Sequence, residues 1–497
     1  MLFMSYKLWI VATGVILLAI FINLIAYNGS FCKENSEESF LCKSYYVIAF
    51  YRLAWRTEAI ESIVRIIQFF MEKRPHLVVT PWKENLFSHD LLWMAPFLSG
   101  GGYCSEALSF ILGLATCGTV PYLSIQPHGD MANEVFWEGL PLSTKRFLIE
   151  KVYKQGLVLN NTVVICHSEP GAWYPPLYET FPCPPSGYGD AMYVIGRTMF
   201  ETDRLSSEHV KRCNKMDEIW VPSAFNVETF AKSGVDPSKL VRIGQSVDVL
   251  FFNPKKVRKA LVLPSIGHVF GPKMSSSKNA YVFLSIFKWE SRKGWDLLIQ
   301  AYMEEFSAKD NVLLFIQTNA YHSEKTYDDE IRGYVKKMGL AEPLHGWPSI
   351  YVSDEHVPQL ALPSLYKAAN AFVLPSRGEG WGRPHVEAMA MSLPIIATNW
   401  SGMTEYMNEE NSYPLHVENL VEIEEGPFKG HFWAHPSVKH LRYLMRHVYT
   451  HPLEAKAKGL LARKTMVDRF SPEVLTREIV QHLMRIARKK SIAKESR

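Results

Sequence analysis

Along most of the chain, short apolar runs rich in β-branched and aromatic residues alternate with longer segments whose apolar positions recur at helical spacing. The first series of runs covers 76–80, 91–97, 120–126, 162–167, 192–195, 218–222 and 240–244. The second covers 281–287, 312–318, 350–353, 371–375 and 394–398. Residues 253–280, rich in Lys, Pro, Ser and Gly, separate the two series and read as a linker with a loop insertion. Such alternation predicts α/β architecture, with parallel sheets covered by helices on both faces. The economical arrangement is two Rossmann-like domains facing a cleft, one over 76–252 and one over 281–430. Residues 431–497 then read as basic helices. Ligands of open parallel sheets lie beyond the carboxyl ends of the strands, so the loops after the runs are the places to seek chemistry.

The N-terminus follows a different pattern. Leu8–Tyr27 is an apolar run with Asn23 its only clearly polar side chain, long enough for a transmembrane helix. Lys7 precedes it, whereas Glu34, Glu37 and Glu38 follow. That asymmetry predicts a cytosolic tail (1–7), a type II signal anchor (8–27) and a stem (28–75) leading to a lumenal body in the endoplasmic reticulum or Golgi. A cleaved signal peptide and a cytosol-facing body are the competing readings. The run is longer than most signal-peptide cores, and Ala26–Gly29 makes a poor cleavage site. Cys32 and Cys42 would either pair in the lumen or stay as two thiols. The seven cysteines show no zinc-site spacing. Sequons at Asn28 and Asn160 would be usable only in the lumen, while the one at Asn399 follows a core run. A net charge of +4 over 497 residues gives no reason to expect nucleic acid.

Candidate chemistry concentrates in the second series. After the run 371–375 the chain reads E-G-W-G-R-P-H-V-E from Glu379 to Glu387. Glycines keep the backbone bare, and Pro384 suits the first turn of a helix. A ribbon of amides beside a helix N-terminus suits an anion or a sugar with many hydroxyls. Lys288 and Lys293 follow the run 281–287 and could converge on a diphosphate without a metal.

The spacing E-x7-E followed by A-M-A, with K-x4-K-G upstream, resembles retaining GT-B glycosyltransferases of family 4, over 91–480 with the specific motifs in 281–405. The resemblance implies that Glu387 holds the donor ribose and Glu379 the transferred sugar, assisted by Gly380, Trp381 and Gly382. It implies that Lys288 (where arginine is usual) and Lys293 hold the departing phosphates, and that Gly402, Met403 and Thr404 approach the diphosphate. Gly101 and Gly102 would face the acceptor, and a histidine, His167 ahead of His128, would lie against the transferred sugar. A satisfied buried histidine is the alternative for both. Arg197 would be a phosphate or acceptor contact, with a plain salt bridge as its rival reading. Gln245–Asp248 stands where N-G-V-D is usual, and the terminal helices would cross back to the first domain. The implied reaction is hexose transfer with retention from a UDP- or GDP-sugar to a glycan, lipid or protein acceptor, with no metal or further cofactor. A catalytically inactive sugar-binding or scaffold subunit is the alternative. The K-M-S-S-S-K stretch of the linker and the acidic Asp328–Glu330 read as surface features.

Overall fold

The computed structural model describes residues 86–152, 157–263, 267–273, 280–320 and 326–495. The expected anchor Leu8–Tyr27, the stem with Cys32 and Cys42, the Asn28 sequon and the run 76–80 lie outside these residues. Among the described residues no helix is long and apolar enough to cross a membrane.

The first lobe is a wholly parallel sheet of β1 (Asp90–Ala95), β2 (Leu123–Pro127), β3 (Thr162–His167), β4 (Tyr193–Arg197), β5 (Glu218–Val221) and β6 (Leu240–Arg242). Its strand order is β2-β1-β3-β4-β5-β6. Every residue of β3 is buried, as a strand covered on both faces requires. One face packs under the helix Gly102–Cys117, through Ala107, Phe110, Ile111 and Leu114. The other face, with Val164, Val194 and Ile219, packs on Trp173, Cys213 and Phe230. A disulfide joins Cys166 at the end of β3 to Cys183 in the following loop.

The second lobe is a sheet of seven strands: β7 (His268–Phe270), β8 (Tyr281–Trp289), β9 (Val312–Ala320), β10 (Ser349–Ser353), β11 (Ala371–Leu374), β12 (Ile395–Thr398) and β13 (Tyr413–Leu415). Their order is β13-β12-β11-β8-β9-β10-β7, parallel except for β7, which runs antiparallel on β10. The predicted runs fall on these strands. β7 emerges from the segment read as linker, because only three residues form it. A hairpin of β14 (Val417–Glu422) and β15 (Phe432–Pro436) also escaped the pattern, since β14 is exposed along most of its length.

Each sheet has one place where successive strands are added in opposite directions: between β1 and β3 in the first lobe, and between β8 and β11 in the second. Loops leaving the carboxyl ends of such a pair part to either side and leave a crevice. The helices Val438–Thr450 and Pro452–Phe470 belong to the second lobe. The final helix, Pro472–Glu495, lies on the first. There Arg485 donates to both oxygens of buried Glu218 at 2.6 and 2.8 Å. Gly113 permits the close approach, since a Cβ there would stand 2.2 Å from Thr476 Oγ1.

Candidate functional site

The second-lobe crevice is built by two loops. β8 continues to Trp289, two residues beyond the predicted run, and alternation turns Phe287 and Trp289 inward while Lys288 faces out. Lys288 is therefore a strand residue, in register with Asn319, rather than a loop residue. A single turn, Ser291–Lys293, follows and ends at Gly294. Gly294 has φ 66°, and a Cβ there would stand 2.2 Å from the Pro375 carbonyl, so only glycine lets the β8 and β11 loops lie this close.

Stitching then fixes the two loops to each other. The Arg292 carbonyl accepts from the Arg377 amide at 2.7 Å and from Ser376 Oγ at 3.2 Å. Arg377 in turn forks onto Asp296 at 2.9 and 2.7 Å. At the centre, Lys293 Nζ donates to both oxygens of Glu379 at 2.7 and 2.9 Å, and Arg292 Nη1 adds a third bond at 3.2 Å. Burial alone would raise the Glu379 carboxyl, but Lys293 and Arg292 outweigh it and hold it at about 2. Lys288 is pulled below its ordinary value, first by burial and then by the neighbouring Lys293 and Arg292, with Glu290 and Asp130 opposing. Three cations thus meet at the end of β8, among the carboxylates of Glu379, Glu290 and Asp130.

Glu387 lies one turn inside the helix Arg383–Ala390 and accepts from the Tyr366 hydroxyl at 2.9 Å. Burial raises its carboxyl, against the pull of Arg383 and Tyr366. Among the described residues, the buried amides of Glu379, Gly380, Trp381 and Gly382 donate no hydrogen bond, which matches the expected ribbon of bare N–H groups.

Other expectations for this loop need correction. Trp381 is a core side chain, 2% exposed and packed on Tyr406 and Phe470, so its ring cannot face a ligand. Gly380 is bare because a Cβ would stand 2.6 Å from Met199 of the first lobe. Gly402 is bare because a Cβ would stand 2.2 Å from the Gly380 carbonyl, and its amide is already bonded to the Glu379 carbonyl at 2.9 Å. Gly382, with φ 92°, lies against the His385 ring. Met403 is fully buried; Thr404 is exposed and its hydroxyl donates to the Ser401 carbonyl at 2.8 Å.

The first lobe corrects three further assignments. Trp93 Nε1 donates to His167 Nδ1 at 3.1 Å, which leaves the Nε2 hydrogen to donate to Glu106 at 3.0 Å. Arg197 pairs with the same carboxylate and donates to the Ile243 carbonyl at 2.6 Å. All three groups are fully buried, so His167 and Arg197 are core residues and reach neither sugar nor phosphate. Burial keeps His167 neutral and below its ordinary value, while Arg197 and His167 hold Glu106 ionised against its own burial. His128 is also satisfied, by the Phe181 carbonyl at 2.6 Å and Ser168 Oγ at 2.9 Å. What the first lobe presents after β2 is Asp130, exposed and electrostatically linked to Lys288 across the crevice. Gly101 caps the helix Gly102–Cys117, and a Cβ on it would stand 3.6 Å from the Asp130 carboxylate; a Cβ on Gly102 would meet nothing.

The sequence reading therefore missed Arg292, Glu106 and Asp130, and also Glu201 of the first lobe, whose carboxylate stands 3.8 Å from Arg292. Glu106 had a signal, as the one carboxylate in an otherwise apolar helix; Arg292 was hidden by its neighbour Lys293. Among the described residues, no group of three or more His, Cys, Asp or Glu side chains could hold a metal ion.

With this geometry in view, comparison with known proteins is decisive for one part of the chain. Residues 278–424 match the family of glycosyl transferases group 1. A mannosylfructose-phosphate synthase from Agrobacterium fabrum is 32% identical over 24% of this chain and 26% of its own length. The lipopolysaccharide core mannosyltransferase LpsB of Rhizobium meliloti is 28% identical over 26% of this chain and 35% of its own. The chain thus spans about a third or less of these relatives. Among solved structures, Anabaena Alr3699/HepE in complex with UDP and glucose superposes over 80% of this chain and 99% of its own, with TM-score 0.52 and 12% identity. The sucrose-phosphate synthase of Thermosynechococcus elongatus covers 81% and 100%, with TM-score 0.51 and 14% identity. These likenesses show the fold: two parallel α/β lobes of the GT-B type.

Two outcomes are expected from the buried groups. Replacing Arg197 by Met leaves Glu106 charged and short of its main partner, and should cost roughly 3–5 kcal/mol in chemical denaturation. His128 and His385 are held neutral by burial, each at about 4 against an ordinary 6.5. Between those values the unfolded chain takes up protons that the folded chain refuses, so stability falls as pH drops from 6.5 towards 4 and is unaffected above. The His385 ring nitrogens lie against the Gly382 and Leu374 backbone without well-formed hydrogen bonds. His385→Leu should therefore keep the fold and reduce that slope by up to about 1.4 kcal/mol per pH unit, measured by urea unfolding across the range.

Proposed function

We propose that this chain is a retaining, metal-independent glycosyltransferase that moves a hexose from a UDP- or GDP-sugar to a hydroxyl of a glycan, lipid or protein. The observation that carries the reading is the cation cluster of Lys288, Arg292 and Lys293 beside Glu379, at the crevice between β8 and β11, inside the segment that matches the transferase family. Lys288 and Lys293 would offset the charge that grows on the departing diphosphate. Glu379, kept ionised, would accept hydrogen bonds from sugar hydroxyls. Glu387, oriented by the Tyr366 hydroxyl, would hold the ribose diol, and the bare amides of 379–382 would face the donor. The spacing from Glu379 to Glu387 supports retention of configuration. The names of the two relatives, and the UDP and glucose bound by the structural neighbour, support a nucleotide sugar as donor.

The Cys166–Cys183 disulfide supports an oxidising compartment, and with it a lumenal body in the endoplasmic reticulum or Golgi, carried by the Leu8–Tyr27 anchor. Asn160 is exposed on the first lobe. In a eukaryotic secretory host, Asn160→Gln should therefore remove one N-glycan, seen as a gel shift; an unmodified Asn160 in the wild type would favour the cytosol-facing arrangement.

The inactive scaffold reading draws on Met199 and Glu201, which fill the glycine face of the β11 loop. Donor hydrolysis by the purified protein, run against a panel of UDP- and GDP-sugars, separates the two. One donor should be turned over, and Lys293→Ala and Glu379→Gln should each lower that rate by roughly 100- to 1,000-fold. Silence across the panel, with no nucleotide-induced rise in Tm, would leave the scaffold.

A further inference from the structure

Arg292 belongs to the cation cluster, yet the proposed chemistry gives it no contact with the donor. Its guanidinium is mostly buried, with 17% of the side chain exposed, and three carboxylates from three segments surround it. Nη2 donates to Glu290 Oε1 at 2.8 Å. Nη1 donates to Glu379 Oε2 at 3.2 Å and to the Gly378 carbonyl at 2.7 Å. Glu201 of the first lobe stands 3.8 Å away. Burial opposes the charge, but Glu201, Glu379 and Glu290 outweigh it and raise the guanidinium above its ordinary value.

Two features make this more than a salt bridge. The first is how Glu379 is shared. Lys293 serves both of its oxygens, so a diphosphate that attracts Lys293 weakens what holds the carboxylate in place. Arg292 stays behind, because its Nη1 is bonded to Glu379 and to the Gly378 carbonyl of the same loop while Nη2 is held by Glu290. A planar guanidinium held at both terminal nitrogens also fixes direction, which an ammonium does not. The second is Glu201, whose backbone also meets the loop after β12 and the β11 loop. Its carbonyl accepts from Ser401 Oγ at 3.4 Å, and a Cβ on Gly378 would stand 2.3 Å from that carbonyl. The first lobe therefore touches both the arginine and the loop that the arginine holds.

We propose that Arg292 is a positioning residue that sets the orientation of Glu379 and, through Glu201, couples it to the approach of the first lobe. The inference rests on the transferase reading and names a residue whose effect passes through Glu379 rather than through contact with the donor. If so, loss of the guanidinium disturbs the sugar end of the donor and leaves the nucleotide end alone.

The test uses the full chain and four variants: Arg292→Gln, Arg292→Lys, Glu201→Gln, and Arg292→Gln combined with Glu201→Gln. Affinity for UDP or GDP is measured by calorimetry, alongside kcat and KM for the donor found in the panel. Arg292→Gln should lower kcat by roughly 100-fold, the scale of a misplaced polar contact, with nucleotide Kd within about twofold of wild type. Arg292→Lys should recover roughly tenfold of that loss, and Glu201→Gln should cost roughly three- to tenfold. The double variant should be no worse than Arg292→Gln, because both act on one element. A parallel loss of nucleotide affinity would overturn the inference by making Arg292 a donor ligand. A fall in Tm with kcat unchanged would overturn it in favour of a purely structural role, and additive losses would remove the coupling through Glu201. A wild type that binds no nucleotide would sink the transferase reading and this inference together, whereas normal wild-type turnover matched by Arg292→Gln would sink the inference alone.

Discussion

A carboxylate at the end of a buried parallel strand stays ionised only while cations stand against it, and the second lobe is arranged around that constraint. Glu379 is 7% exposed, so its charge has little water to fall back on. Lys293 and Arg292 supply the compensation from the neighbouring strand, and the loops of β8 and β11 are stitched so that neither can withdraw. The arrangement leaves a cluster of charges of both signs in the crevice, where the buried ones are worth more than in water. An arriving anion would compete with Glu379 for the same ammonium, so the resting pair already holds the groups near the positions that a ligand would need.

The first lobe solves the same problem and obtains a different result. Glu106, Arg197, His167 and Trp93 form a buried chain in which each polar atom has a partner, and nothing is left over for a ligand. This network anchors the helix that starts after the glycine loop and pins it to the ends of β3 and β4. Its polarity serves position, while the crevice itself is faced by Asp130 and by the backbone around Gly101.

How much of this was legible in the sequence follows from which interactions are local. The alternation of apolar runs marked most strands, because a strand covered on both faces needs an unbroken apolar stretch. The E-x7-E spacing marked one loop and one helix turn, and the structure has both. What the sequence hid was the meaning of the glycines and of the histidines. Gly380 and Gly402 look like ligand glycines, yet each is bare because another backbone or Met199 lies where a Cβ would be. His167 and Arg197 look like catalytic residues after strands, yet their partner Glu106 lies 61 and 91 positions away. The Cys166–Cys183 disulfide was hidden for the same reason: a separation of 17 carries no signature among scattered cysteines.

The return of the final helix to the first lobe has a mechanical consequence. The chain passes from one lobe to the other after β6 and passes back after Phe470, and the Val247 amide bonds the Phe470 carbonyl at 2.9 Å. The two crossings therefore run side by side and are bonded to each other. A movement at one crossing is passed to the other, so the final helix holds the first crossing in place as well as its own.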